Sequence, residues 1–140
     1  MKHILIRDWM TPKPITADVH TTLPEAHKLM TQHRVRRLPV MDGDKLVGIV
    51  TRGDIRGAEP SEATSLSIHE LNYLLSKLTL EKIMHRNPIM VSPDMTIREA
   101  ARLMLTNKIA GLPVVDGERL VGIITESDIF RLVVKSWDEL

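Results

Sequence analysis

No cysteine occurs among the 140 residues. That excludes disulfides, thiolate chemistry and cysteine-ligated zinc, although it selects no compartment. Aromatic side chains are almost as scarce: two Trp, one Tyr and one Phe make up 3% of the chain. This is too few for base-stacking platforms or aromatic cages around a cation. An excess of one charge sign is also lacking. Nineteen Lys and Arg stand against 18 Asp and Glu, for a net charge of +1, so no global field draws nucleic acid or an anionic membrane. Local basic patches stay open. No apolar run reaches the length of a membrane span. The first residues return to charge at Arg7 and Asp8 after only Ile4, Leu5 and Ile6, which is not a secretory signal. A soluble, cytoplasmic protein is expected.

What is present is an ordinary globular mixture, 43% hydrophobic and 26% charged. The length suits one domain, or two small units that must cover each other's apolar faces. An internal repeat favours the second arrangement. Sliding the chain by 74 positions places Met84 on Met10, and the match runs without a gap to Ile55 and Ile129. Pro14-Ile15 falls on Pro88-Ile89, Leu29-Met30 on Leu103-Met104, and Leu38-Pro39-Val40 on Leu112-Pro113-Val114. Leu46-Val47-Gly48-Ile49 falls on Leu120-Val121-Gly122-Ile123, and Asp54-Ile55 on Asp128-Ile129. Two copies at so long a spacing suggest a pseudo-two-fold pair rather than a solenoid.

Each copy reads alike. Extended segments open at Pro14 and Pro88. Thr22 and Thr96 are N-caps, with Glu25 and Glu99 completing capping boxes. Ala26, Leu29 and Met30, like Ala100, Leu103 and Met104, then mark one helix face. Asp42-Gly43 and Asp116-Gly117 predict hairpins. The second strand of each hairpin is nearly continuously apolar, as in a strand buried on both faces. A second helix starts after Thr51 and Thr125. The predicted order is β-α-β-β-α, twice, an α/β (α+β) fold. Between the copies, a polar stretch over 59–65 precedes another capping box, Ser67 to Glu70. The helix it opens, over 67–78, carries a stripe of Ile68, Leu71, Leu74, Leu75 and Leu78 that should be buried on the domain or on a partner.

This tandem order is similar to a pair of cystathionine-β-synthase (CBS) motifs, the Bateman module. The residues that carry the resemblance are Met-Thr-Pro-Lys-Pro-Ile at 10–15, Arg-Arg-Leu-Pro-Val at 36–40 and Leu-Val-Gly-Ile-Val-Thr-Arg-Gly-Asp-Ile at 46–55, with their counterparts in the second copy. On this basis motif 1 spans 7–58, a linker with an amphipathic helix 59–78, and motif 2 79–135. The layout also resembles acetoin-utilisation-type bacterial regulatory proteins. The resemblance implies a sensor that binds an adenosine-containing ligand (AMP, ADP, ATP or adenosylmethionine) in clefts between the motifs. It requires no further cofactor, and it implies association into a homodimer.

The residues themselves allow more than one role. An aspartate in the first helical turn can accept hydrogen bonds from both hydroxyls of a ribose, the role that the resemblance gives Asp54 and Asp128. Thr-x-x-Asp is equally a helix cap, and both roles can coexist. The hydroxyls of Thr51, Thr125 and Ser127 would add donors beside a helix N-terminus, which suits phosphate. Arg36 and Arg37 precede Leu38-Pro39, where the second copy has Ala110-Gly111 before Leu112-Pro113. The resemblance carries this position across to the site on the other motif's aspartate. The Asp128 site would then gain arginine, while the Asp54 site would face Gly111. These arginines can also be read as solvated charges at a helix end. Ile15-Thr16 and Ile89-Met90 would line an adenine, or belong to the core.

Enzyme signatures are missing. His69-Glu70 is followed by Leu71-Asn72-Tyr73 rather than completing HExxH, and no Walker loop, Gly-x-Ser-x-Gly or GxGxxG occurs. The reading is a non-catalytic regulatory module acting through an unidentified effector protein, with no catalytic residues and no metal. Two alternatives come from other classes. One is a small nucleic-acid-binding regulator that uses Arg34, Arg36, Arg37, Arg52 and Arg56, which the balanced charge disfavours. The other is a purely structural dimerisation module.

Overall fold

The computed structural model describes residues 4–59 and 65–140; most of the expected polar linker, 60–64, lies outside the described residues. In chain order, a short 3-10 turn (Ile6–Asp8) leads to β1 (Thr11–Pro12), β2 (Ala17–Asp18), α1 (Leu23–His33), β3 (Arg37–Asp42), β4 (Lys45–Thr51) and α2 (Arg52–Ala58). There follow α3 (Ile68–Lys77), α4 (Leu80–Ile83), β5 (His85–Arg86), α5 (Ile97–Asn107), β6 (Gly111–Asp116), β7 (Arg119–Thr125) and α6 (Glu126–Asp138). The mixed α/β class is the one predicted. The chain divides into two units: Ile15–Asn87, and Met1–Pro14 together with Pro88–Leu140.

Local signals act in each unit as the sequence suggests. Thr22 accepts the Glu25 N–H at 3.4 Å, and Thr96 accepts that of Glu99 at 3.1 Å. The helices so opened end at Arg34 and Lys108, each left-handed at φ 54°. Gly43 and Gly117 supply the positive φ of the two hairpin turns, which a residue with a Cβ adopts only under strain. One apolar face of α1 buries Leu23, Ala26 and Met30 against Leu38, Val40 and Val50 of the sheet. The equivalent face of α5 buries Ile97, Ala100 and Met104 with Leu112, Val114 and Ile124.

The sheets hold a feature that the repeat does not announce. In the Ile15–Asn87 unit the strand order is β2-β3-β4-β5. β2 runs parallel to β3, with Ala17 opposite Val40, and β5 runs antiparallel to β4, with His85 opposite Ile49. In the other unit the order is β1-β7-β6, with Thr11 opposite Ile123. A single parallel bridge from Val91 to Val114 stands where β2 stands in the first unit. The strand leading into each copy therefore completes the sheet of the other copy.

Glycine permits this exchange. A Cβ on Gly48 would lie 2.6 Å from Met84 Sδ and 2.9 Å from the His85 carbonyl oxygen. A Cβ on Gly122 would meet Met10 Sδ at 2.6 Å and the Thr11 carbonyl at 2.9 Å. Both strand centres are glycine because another segment crosses them.

The helix expected over 67–78 forms, capped by Ser67, which accepts the Glu70 N–H at 3.2 Å. Within the chain its stripe is buried only in part. Leu75 and Leu78 pack on the core, but Ile68 and Leu74 are exposed and no residue of α3 is fully buried. The cause is position: α3 touches the unit chiefly along α1, so only one edge of the stripe meets a neighbour.

Candidate functional site

Pairing register brings the candidate residues to one end of each sheet. In the Ile15–Asn87 unit, β4 stops at Thr51 opposite Arg37, where β3 begins. The Arg52 N–H donates to the Arg36 carbonyl at 2.8 Å, fixing the start of α2 beside the arginine pair. Ile15 and Thr16 lead into β2, whose register with β3 carries them past the Leu38-Pro39 end of that strand. Ile15 is half-buried against the core and Thr16 is exposed. Leu38 and Pro39 are fully buried, main chain included.

At this rim Asp54 is held from two sides. The Thr51 N–H donates to Asp54 Oδ2 at 2.8 Å, and the Asp54 N–H donates to Thr51 Oγ1 at 3.1 Å, a reciprocal cap. His85 Nε2, brought in by β5, lies 2.9 Å from Asp54 Oδ1. Burial by itself would raise the Asp54 pKa. The Thr51 N–H, the His85 imidazole and the Thr51 hydroxyl outweigh it and hold the carboxyl below its ordinary range. The result is an ionised carboxylate, its side chain 21% exposed, at a sheet end where the main chain of Arg36, Arg37 and Arg52 also meets.

The second rim repeats the frame with different chemistry. Gly111 lies opposite Thr125 across β6 and β7, and the Glu126 N–H donates to the Ala110 carbonyl at 3.0 Å. Ile89 and Met90 are exposed ahead of Val91, whose N–H donates to the Pro113 carbonyl at 3.0 Å. Leu112 and Pro113 are buried like their counterparts, and Ser127 is exposed. Asp128 Oδ2 accepts the Thr125 N–H at 2.8 Å and the Thr125 hydroxyl at 3.2 Å, while Oδ1 pairs with Arg131 one turn along α6. The Asp128 side chain is only 2% exposed.

His85 and Arg131 escaped the sequence reading. Arg131 carried a signal, since i and i+3 on a helix are neighbours. His85 carried none. It is 31 residues from Asp54 and meets it only because β5 adds to β4. A separate hollow of about 80 Å³ between α1 and α2, lined by His27, Arg56 and Glu59 among others, is far smaller than a nucleoside site. No described helix is long and apolar enough to cross a membrane.

Known proteins share this architecture. The CBS domain family model matches residues 6–61 and 80–135. A CBS domain-containing protein of Dictyostelium discoideum is 36% identical over 137 residues, which is 94% of this chain and 92% of its own. A solved CBS domain pair in complex with 5′-methylthioadenosine and S-adenosyl-L-methionine is similar at TM-score 0.78 and 36% identity, over 94% of this chain and 97% of that one. CBSX2 of Arabidopsis thaliana, solved in complex with AMP, is similar at TM-score 0.78 and 29% identity, over 94% and 97%. A Vibrio cholerae chain provisionally named as an acetoin utilization protein is similar at TM-score 0.79 and 34% identity, over 96% and 93%.

Proposed function

The chain belongs to the CBS-domain family, and from that premise we propose that it is a non-catalytic regulatory module that binds an adenosyl ligand at the Asp54 and Asp128 rims. The observation that carries this reading is the twice-built carboxylate, each held by its own threonine N–H at 2.8 Å at a sheet end. A carboxylate so placed can accept both hydroxyls of a ribose. Ile15-Thr16 and Ile89-Met90 would flank the adenine. Arg36, Arg37 and Arg52 would meet a phosphate, where charge-assisted and bidentate contacts are strong. AMP, ADP, ATP and adenosylmethionine all present the required diol, and similar proteins solved with AMP or with adenosylmethionine support this class. Thr51, Thr125 and Ser127 would add hydroxyl contacts. The output would pass through an effector protein in the cytoplasm, from a homodimer.

The test is a thermal-shift panel of adenosine compounds. A ligand that binds only the folded state raises Tm, by the equivalent of about 2.7 kcal/mol at a hundred times Kd. At least one compound should do so in the wild type, with the shift reduced in Asp54→Ala. If no compound shifts the melting temperature, the reading is wrong. The arginines at the Asp54 rim also suit nucleic acid. Binding that weakens steeply with salt and ignores adenosine compounds would favour that alternative.

A further inference from the structure

We propose that the cation seated on each rim's aspartate sets how firmly that rim grips a sugar: His85 makes the grip at Asp54 depend on pH, while Arg131 keeps the grip at Asp128 independent of it. This rests on the adenosyl reading above and assigns roles to two residues which that reading leaves unused.

A carboxylate has about four acceptor positions. At Asp54, Oδ2 is engaged by the Thr51 N–H and Oδ1 by His85 Nε2. Two positions stay open, but the carboxylate is reached only through the 21% of its side chain that is exposed, where the His85 ring stands, so a cis-diol that donates two hydrogens to the same group competes with His85 for that opening. The imidazole is 66% exposed and can turn into water without leaving a buried polar atom behind. At Asp128 the competitor is Arg131, whose side chain is 60% exposed over a carboxylate that is 2% exposed. The repeat did not duplicate this device. The position matching His85 is Thr11, and the position matching Arg131 is Gly57. Each rim acquired its cation from a different element.

The two cations differ in one respect. Arginine stays charged throughout the ordinary pH range, whereas histidine as a residue type changes charge between about pH 5 and 8. Protonated, His85 holds Oδ1 through a charge-assisted bond. Neutral, it donates weakly, or presents a lone pair and releases the oxygen. Asp54 itself stays ionised over that range, because its contacts lower its pKa.

Among the described residues, no other titrating group facing the rim takes this role. At the start of α2 and at the entrance to β3 the cationic residues are Arg52, Arg36 and Arg37, and arginine as a residue type does not change charge in this range. Arg86 on β5 is turned to the Glu81 carbonyl at 3.1 Å, and Lys82 on α4 to the Lys77 carbonyl at 3.0 Å. On α1, His27 lies 3.6 Å from Glu59, just past the far end of α2. The sign follows: for a ligand with a diol and no charge, the Asp54 rim binds more tightly as pH rises.

The test is titration calorimetry with adenosine, at pH 5.5 and 8.0, on the intact chain. Wild type should bind about tenfold more tightly at pH 8.0, the scale of one hydrogen bond to a charged group. His85→Gln should bind tightly at both values and His85→Arg weakly at both. The His85 ring proton, assigned by its loss in His85→Gln, should shift on adding adenosine. The proposal is overturned if wild-type affinity is flat with pH, if the dependence survives in His85→Gln, or if the His85 resonance ignores the ligand. Adenosine that binds with flat affinity leaves the adenosyl reading standing. If no adenosine compound binds at either pH, both readings fall together.

Discussion

At the scale of the residue, Asp54 carries two roles that need not conflict. Its carboxylate closes a helix cap through the Thr51 N–H, and it faces the rim where His85 meets it. The cap alone gives it a place in stability. Its folded pKa lies below the unfolded value, so its contribution is fully present above the ordinary carboxylate range. That contribution is lost as pH falls through the lowered folded value. Asp54→Asn keeps the shape and removes the titration. The variant should be less stable than wild type by about 1 kcal/mol at pH 7, the usual scale of a lost cap. The gap should close as pH falls below about 4. Urea midpoints between pH 2 and 7 measure this, and a gap that stays constant to pH 2 would refute it. Asp128 looks identical in the sequence but sits deeper, with Arg131 rather than a histidine on its outer oxygen. The family resemblance gives the Asp128 site Ser127 and an arginine carried over from the other copy. Asp54 is the more accessible carboxylate of the two, its side chain 21% exposed against 2%.

At the scale of the element, the exchanged strands hold the sheets together. β5 is two residues long, yet it completes the sheet on which β4 depends and carries His85 into place. Its approach to β4 is close enough that Gly48 has no room for a Cβ. Gly48→Val should push β5 outward and cost about 1–3 kcal/mol, the range for overpacking. It should also detach His85 from Asp54, so that the pH dependence of adenosine binding is lost with the stability. Gly122→Val should cost a similar amount, because Met10 and Thr11 crowd it in the same way, but should leave that pH dependence intact. Chemical denaturation of both variants, read beside the adenosine titration, separates the two. If both glycines tolerate valine, the close crossings are not what makes them glycine.

At the scale of the whole molecule, the two units differ in their outer faces. α6 exposes Phe130, Val134 and Trp137 at spacings of four and three, and α5 exposes Leu105. Residues so spaced share one helix face. Around α1 and α2 the exposed groups are polar instead, including His27 and Arg56. A homodimer that forms through α6 would remove the apolar face from water, and a specific interface of this kind buries about 800 Å² per partner. Light scattering at micromolar concentration should report twice the mass of one chain. Replacing Phe130 and Trp137 together with glutamate should reduce it to one. A wild-type chain that stays at the mass of one would remove the dimer from the proposed function.

The sequence by itself determined what short-range physics controls. Thr22, Thr51, Thr96 and Ser67 cap helices because a hydroxyl reaches an N–H three residues on. Asp42-Gly43 and Asp116-Gly117 turn because glycine accepts a positive φ. The 74-residue repeat made the two hairpins legible together. Only tertiary structure decided which hairpin each preceding strand would join, how little of α3 would be buried, and which cation would sit on each aspartate. Those outcomes depend on contacts between residues far apart in the chain. Their energies arise from burial and pairing geometry, which no local pattern of residue types records. His85 is the clearest case: in sequence it is one of six histidines, and in the fold it touches the carboxylate on which the proposed function turns.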